Sequence, residues 1–227
     1  MIINKRFFNQ NPHDLAVALL GKILRHKYIE PVSKCCFWLA AQIIETEAYY
    51  CNEKGSHASL GFTEKRKALF MPSGTIYMYY ARGGDSLNFS ARGQGNAVLI
   101  KSGYAHVDTT SPATNITLMQ TLNPAVNGKH PRTRAKLCSG QTLLCSALNL
   151  KVTRWDQKQM KPDSFYLEDT GYTPNAVIQC TRLGIPKGRD EHLQNRFLDL
   201  DFAGYATSNP LTKRKLVQQR DYRILTM

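Results

Sequence analysis

The spacing of apolar positions changes several times along the chain, and each change marks an element. Behind Asn11-Pro12, Leu15, Leu19 and Leu20 recur at helical spacing, and Gly21 follows. Asn is a helix cap, Pro suits the first helical position and Gly suits the stop, so a helix is predicted there. Residues 22–28 read as a strand, and 36–47 as a longer one rich in β-formers. A polar, irregular stretch runs from Cys51 to Lys67. After the turn at Pro72-Ser73-Gly74, a strand TIYMYYA opens at Thr75. Arg82-Gly83-Gly84-Asp85 turns the chain back into SLNFS, and Gly93-Gln94-Gly95-Asn96 turns it again into AVLIK. Short strands joined by tight glycine turns predict antiparallel pairing.

In the second half, Ser111-Pro112 is read as the cap of a helix carrying Ile116, Met119 and Leu122 on one side. Ser139 is read as the cap of another, running through Leu143, Leu144 and Leu148. A basic loop, Lys129 to Lys136, lies between them. The last third reads as short strands and loops that end in a basic tail, about 212–227. No internal repeat or low-complexity linker divides the chain, so one domain is expected over 1–227. Helices do not alternate regularly with strands. The predicted class is therefore α+β: an antiparallel curved sheet of short strands with peripheral helices.

Charge narrows the partner. The 227 residues carry 30 Lys+Arg against 17 Asp+Glu, a formal net charge of +13. Such an excess favours a polyanion, nucleic acid or an acidic membrane. No run approaches the ~20 apolar residues of a membrane span, and the opening MIINKRFFNQNPHD lacks the apolar core of a signal peptide. The expectation is a cytoplasmic protein, nucleoid-associated if bacterial, with no membrane partner. The six cysteines form no CxxC pair, which gives no support for zinc or an iron–sulfur cluster. Reduced, mostly buried thiols are expected, with no metal and no cofactor.

The chemistry concentrates in IIETEAYY, Ile43 to Tyr50. In a strand, alternate side chains share a face, so Glu45, Glu47 and Tyr49 point one way. A wet outer face would account for that pattern. Ile43 and Ile44, however, place apolar groups on both faces just before it, which makes the strand internal. A carboxylate at the end of an internal strand is costly without a partner or a task. A second strand presents Tyr77 and Tyr79 on one face and Tyr80 on the other. These tyrosines suit a core, and equally a slot whose aromatic walls sandwich a base. A cationic alkylated purine would stack there better than a normal one. His57 could add a hydrogen bond. Loss of a purine leaves an oxocarbenium-like sugar, whose charge a buried carboxylate can stabilise while deprotonating water.

On these segments the chain resembles the alkyladenine, or methylpurine, DNA glycosylases. The resemblance runs through LLGKIL, IIETEAYY followed by His57, the FMPSGTIYMY block, the asparagine of SLNFS, GNAVLIK, LCSGQTLLCSAL and TRLGI. It implies a DNA-repair glycosylase that flips alkylated or otherwise damaged purines from double-stranded DNA. An activated water would hydrolyse the N-glycosidic bond and leave an abasic site, in a monofunctional, monomeric enzyme without metal. By the same resemblance Glu47 is the base. Tyr49, His57 and Tyr79 line the pocket, and Asn88 restricts purine substituents. Glu45 is structural. Lys101 stands where the family often has arginine, keeping the charge but losing the bidentate fork. The wedge position, often aromatic in the family, falls near Arg82, with Tyr80 beside it. Lys129, Arg132 and Arg134 are candidate phosphate contacts. The alternative is a non-catalytic nucleic-acid-binding module of the same fold. Glu47 argues against it, since an internal carboxylate repels phosphate.

Overall fold

One long strand organises the molecule. In the computed structural model, which describes residues 1–126, 128, 130–213 and 215–227, β2 runs from Cys36 to Tyr49. It belongs to a sheet of nine strands among the described residues. One edge of β2 pairs with β5 (Ala97–Ala105). Its other edge is shared, first by β1 (Ile23–Ile29) and then by β8 (Arg196–Asp199). Beyond β5 lie β4 (Gly84–Ser90) and β3 (Ile76–Ala81). Beyond β8 lie β7 (Ala176–Cys180) and β9 (Tyr222–Thr226), and beyond β1 lies β6 (Phe165–Glu168). All these pairings are antiparallel, in keeping with the predicted α+β class.

A bulge in β2 decides which side chains reach which face. The register with β5 shifts between Ile43 and Glu45 and again between Glu45 and Thr46. Before the bulge, the odd-numbered Leu39, Ala41 and Ile43 enter the main core; after it, the even-numbered Ala48 does. Thr46 points the same way and donates its hydroxyl to Ala16 O. Ile44 joins a separate cluster with Ile178 and Leu198. A one-residue slip exchanges the faces of a strand. Without it, Glu45 and Glu47 would continue the parity of Leu39, Ala41 and Ile43 into an apolar core.

The helices flank this sheet. α1 (Pro12–Leu19) starts as predicted, with Asn11 Oδ1 accepting from Asp14 N at 3.0 Å. α2 (Asn115–Leu122), α3 (Gln141–Ala147) and the single turn α4 (Val152–Trp155) follow. The two predicted serine caps do not form. Ser111 Oγ accepts from the buried Arg25 guanidinium at 3.0 Å, and α2 begins only at Asn115. Ser139 Oγ donates to Ala206 O, and Gly140 stands at the start of α3. At Ser111 a tertiary donor takes the oxygen that a cap would use, whereas Ser139 turns its hydroxyl toward Ala206 O and lies one residue before the cap position. Cys138, Cys145 and Cys180 are buried, but Cys35 and Cys36 are exposed and Cys51 is half-buried, so the thiols are not mostly buried. The basic C-terminal stretch ends in strand β9 against β7 rather than as a loose tail.

Candidate active site

Residues from widely separated parts of the chain surround one cavity of about 780 Å³, within the range of small-molecule sites. β2 contributes Tyr49, the 55–60 loop His57, β3 Tyr77 and Tyr79, β4 Asn88, and β5 Leu99 and Lys101. The segments 139–143, 183–186 and 207–208 close the far side. Arg82, Lys101 and Arg189 are its cations, and no carboxylate lies on its wall among the described residues. That imbalance suits an anionic ligand.

Glu47 is fully buried and is not itself part of the wall. Three of its neighbours are. The Tyr49 hydroxyl donates to Glu47 Oε2 at 2.7 Å, and Leu183 N–H donates to Oε1 at 3.2 Å. The Lys101 ammonium stands 3.4 Å from Oε1 and also donates to Gln141 Oε1 at 3.2 Å. Burial, with the Glu47 charge beside it, pushes the Tyr49 phenol well above its ordinary range, so it keeps the proton it donates.

Tyr77 and Tyr79 do not bracket a slot between themselves. Their rings stack on each other, 5.5 Å apart and 29° from parallel, which leaves no room for a base between them. They form one wall. The period-2 pattern nonetheless places them correctly, with Tyr80 exposed on the opposite face. His57 meets the same wall edge-on, 4.5 Å from the Tyr79 ring, with its Nδ1 2.9 Å from the Tyr77 hydroxyl. Burial, aided by Arg66 and Arg189, lowers the imidazole below its usual value, so His57 is neutral at neutral pH. A neutral ring does not repel a cationic base. Asn88 is buried and donates to Tyr77 O at 3.1 Å, which fixes its amide against β3.

The turn between β3 and β4 holds Arg82 at φ 49° and Gly83 at φ 80°. Two successive positive φ angles mark the primed hairpin turn. Glycine adopts that state freely, whereas arginine does so at a cost of about 1 kcal/mol. Arg82 is exposed yet lines the cavity. A Cβ placed on Gly184 would lie 3.4 Å from an Arg82 guanidinium nitrogen, so the hairpin tip reaches across to the 183–186 segment.

The sequence has counterparts among known proteins. A family model described as Methylpurine-DNA glycosylase (MPG) matches residues 6–201. This chain belongs to the methylpurine-DNA glycosylase family. A Pseudomonas syringae pv. syringae protein named "Putative 3-methyladenine DNA glycosylase" is 58% identical over 219 residues, 96% of this chain and 95% of its own. A protein of the same name from Pseudomonas syringae pv. tomato is 57% identical over 98% of this chain and 96% of its own. Another of that name from Prosthecochloris aestuarii is 29% identical over 93% and 95%.

Within this glycosylase framework, the structure gathers Glu47, Tyr49, His57, Tyr79, Asn88, Lys101 and Arg82 at the cavity. It separates others from it. Tyr80 and the basic-loop residues Arg132 and Arg134 are not on the wall. Arg134 donates to Ala105 O at 3.0 Å and lies 5.0 Å over the Tyr104 ring. Lys129 lies outside the described residues. No group of three or more metal-binding side chains converges among the described residues. Among the described residues no helix is long and apolar enough to cross a membrane. Sequence reasoning missed Leu183, Gln141, Arg182 and Arg189. Leu183 acts through its backbone, which no residue type advertises. The TRLGI segment, noticed only as a point of resemblance, was the one signal for Arg182 and Leu183.

Proposed function

We propose that this chain removes alkylated or otherwise damaged purines from double-stranded DNA by monofunctional hydrolysis of the N-glycosidic bond, leaving an abasic site. The observation that carries this reading is Glu47: a buried carboxylate held by Tyr49, Lys101 and Leu183 directly behind an aromatic-walled, cation-lined cavity. The flipped base stacks against Tyr79, with His57 at its edge, and faces Tyr49. Electron-deficient alkylated purines gain most from that contact. Asn88, fixed through Tyr77, limits which purine substituents fit. As the glycosidic bond breaks, Glu47 offsets the positive charge on the sugar and takes a proton from water. Lys101, on the cavity wall, pairs with the carboxylate at 3.4 Å. No covalent intermediate is required.

Arg82 fills the gap that the extruded nucleotide leaves, its planar guanidinium stacking on a neighbouring base. Lys129, Arg132 and Arg134 remain candidate phosphate contacts, Arg132 and Arg134 away from the cavity wall. The test is incubation with duplexes that each hold one defined lesion, followed by alkaline cleavage of abasic sites. The parent should release alkylated purines. Glu47→Gln should release them about 10²–10⁴-fold more slowly and still bind lesion DNA, because Gln keeps the shape but takes no proton. A parent that binds lesion DNA and releases nothing would instead favour the non-catalytic binding module.

A further inference from the structure

Arg182 is buried to an unusual degree for a cation, with none of its side chain exposed. It pairs with Glu53, whose other oxygen accepts from Asn195 Nδ2 at 2.7 Å. The same guanidinium nitrogen donates to Ala48 O at 2.9 Å. Ala48 N–H in turn donates to Asn195 O at 2.7 Å. The peptide unit between Glu47 and Tyr49 is therefore held from both sides. The guanidinium also lies 4.5 Å over the Tyr49 ring. Its Nε and Nη2 have no hydrogen-bond partner among the described residues.

A purely structural buried arginine would be expected to use its donors. Arg196 does so, engaging Glu45, Thr207 and Ser208 O. Arg182 leaves two nitrogens over an aromatic face, a contact that fixes ring position rather than saturating charge. Both neutral donors to Glu47 touch it. Tyr49 lies beneath its guanidinium, and Leu183 is its neighbour in the chain. We propose that Arg182 is a positioning residue for base release, aligning the Tyr49 hydroxyl and the Leu183 N–H on Glu47. The inference rests on the reading of Glu47 as the base, and it adds the Asn195–Glu53–Arg182 relay that holds that base in place.

The test measures single-turnover base release, affinity for lesion duplex and urea stability in the parent, Arg182→Lys, Glu53→Gln, Tyr49→Phe and the double variant Tyr49→Phe/Arg182→Lys. Lysine keeps the charge but loses the plane and the fork. Misalignment by a fraction of an ångström should slow base release by about 10–100-fold, with affinity within about twofold of the parent. Glu53→Gln, which leaves Arg182 in place but loosens it, should move the rate in the same direction by less. In the Tyr49→Phe background, Arg182→Lys should cost less than in the parent, because part of its effect runs through the missing hydroxyl. Three results would overturn the proposal: release by Arg182→Lys within about twofold of the parent, an equal fractional loss in both backgrounds, or a fall in affinity that accounts for the fall in rate. If Arg182→Lys does not fold, Glu53→Gln decides, and an unchanged rate overturns the proposal. A parent that releases no base fails the glycosylase reading itself, and this proposal with it. A working parent with unaffected variants fails only the proposal.

Discussion

Glu45 and Glu47 are two residues apart on β2, both fully buried, yet their surroundings differ in kind. Glu45 is saturated. It pairs with Arg196 at 2.7 Å and accepts from Ser102 Oγ at 2.7 Å, Thr207 Oγ1 at 2.7 Å and Thr207 N at 3.0 Å. Glu47 has a phenol, one longer backbone contact and a lysine at 3.4 Å, and its neighbours open onto the cavity. On the proposed reading of Glu47 as the base, burial alone does not distinguish a structural carboxylate from a reactive one. The distinguishing feature is spare acceptor capacity next to solvent-accessible space. A charge whose lone pairs are all engaged stabilises the fold, and one held loosely beside a cavity can take a proton.

The hardest way to break this contrast is to neutralise each carboxylate in turn. Glu45→Gln leaves Arg196 as a buried cation without its counter-charge and should cost about 3–5 kcal/mol of stability. Glu47→Gln should cost less than about 1 kcal/mol while abolishing base release, since removing groups at a functional site commonly spares stability. Urea unfolding at pH 8 measures both. Similar losses for the two variants would erase the distinction.

The contrast must be measured above the titration of a third buried group. His26 accepts from Trp155 Nε1 at 3.1 Å, and its Nδ1 lies 2.7 Å from Leu148 O. Burial lowers its pKa from 6.5 to about 4. Between those values the unfolded chain binds the proton and the folded one resists it, so stability rises with pH across the window. The contribution, up to about 3 kcal/mol, is complete above pH 6.5 and is lost as pH falls toward 4. Unfolding followed across this range should show the slope, and His26→Gln should flatten it. A slope unchanged by that substitution would assign the titration to another group.

Smaller effects sharpen the reactive side of the comparison. Arg82→Ala should lose about tenfold more activity on a lesion paired in stable duplex than on the same lesion opposite a mismatch, where flipping is already easier. Equal losses on the two duplexes would remove the wedge role. A phosphate contact would instead lower the salt slope by about one. Log affinity for duplex should fall with log salt by about 0.9 per phosphate neutralised, with the same slope in Glu45→Gln and Glu47→Gln. A flat response would remove DNA as the partner.

Much of this site was legible along the chain because it rests on strand periodicity. Alternation put Tyr77 and Tyr79 on one face and Tyr80 on the other, and Glu47 on the face of Tyr49. The cap of α1 was legible because Asn11 bonds only three residues away. What local pattern could not show came from tertiary competition. Ser111 and Ser139 have the chemistry of caps, but Arg25 and Ala206 claim their hydroxyls. The bulge at Ile43–Glu45 has no glycine to announce it. The identity of Glu45 as the saturated carboxylate depends on Arg196 and Thr207, which no local window contains.

Those separations also set an order of events. Glu47 meets Leu183 136 residues downstream, and Glu45 meets Thr207 162 residues downstream. Loop closure over such distances must be overcome before the contacts can reward it, so these pairings belong to the slow part of folding. A chain emerging from the ribosome presents Glu45 and Glu47 long before Arg196, Thr207 and Leu183 exist. Until then Glu45 lacks its counter-charge, and burying that stretch of the strand is costly. A product that ends before residue 183 lacks the 183–186 and 207–208 parts of the far wall and the Leu183 N–H that donates to Glu47. The arrangement delays completion of the cavity until most of the chain has been made.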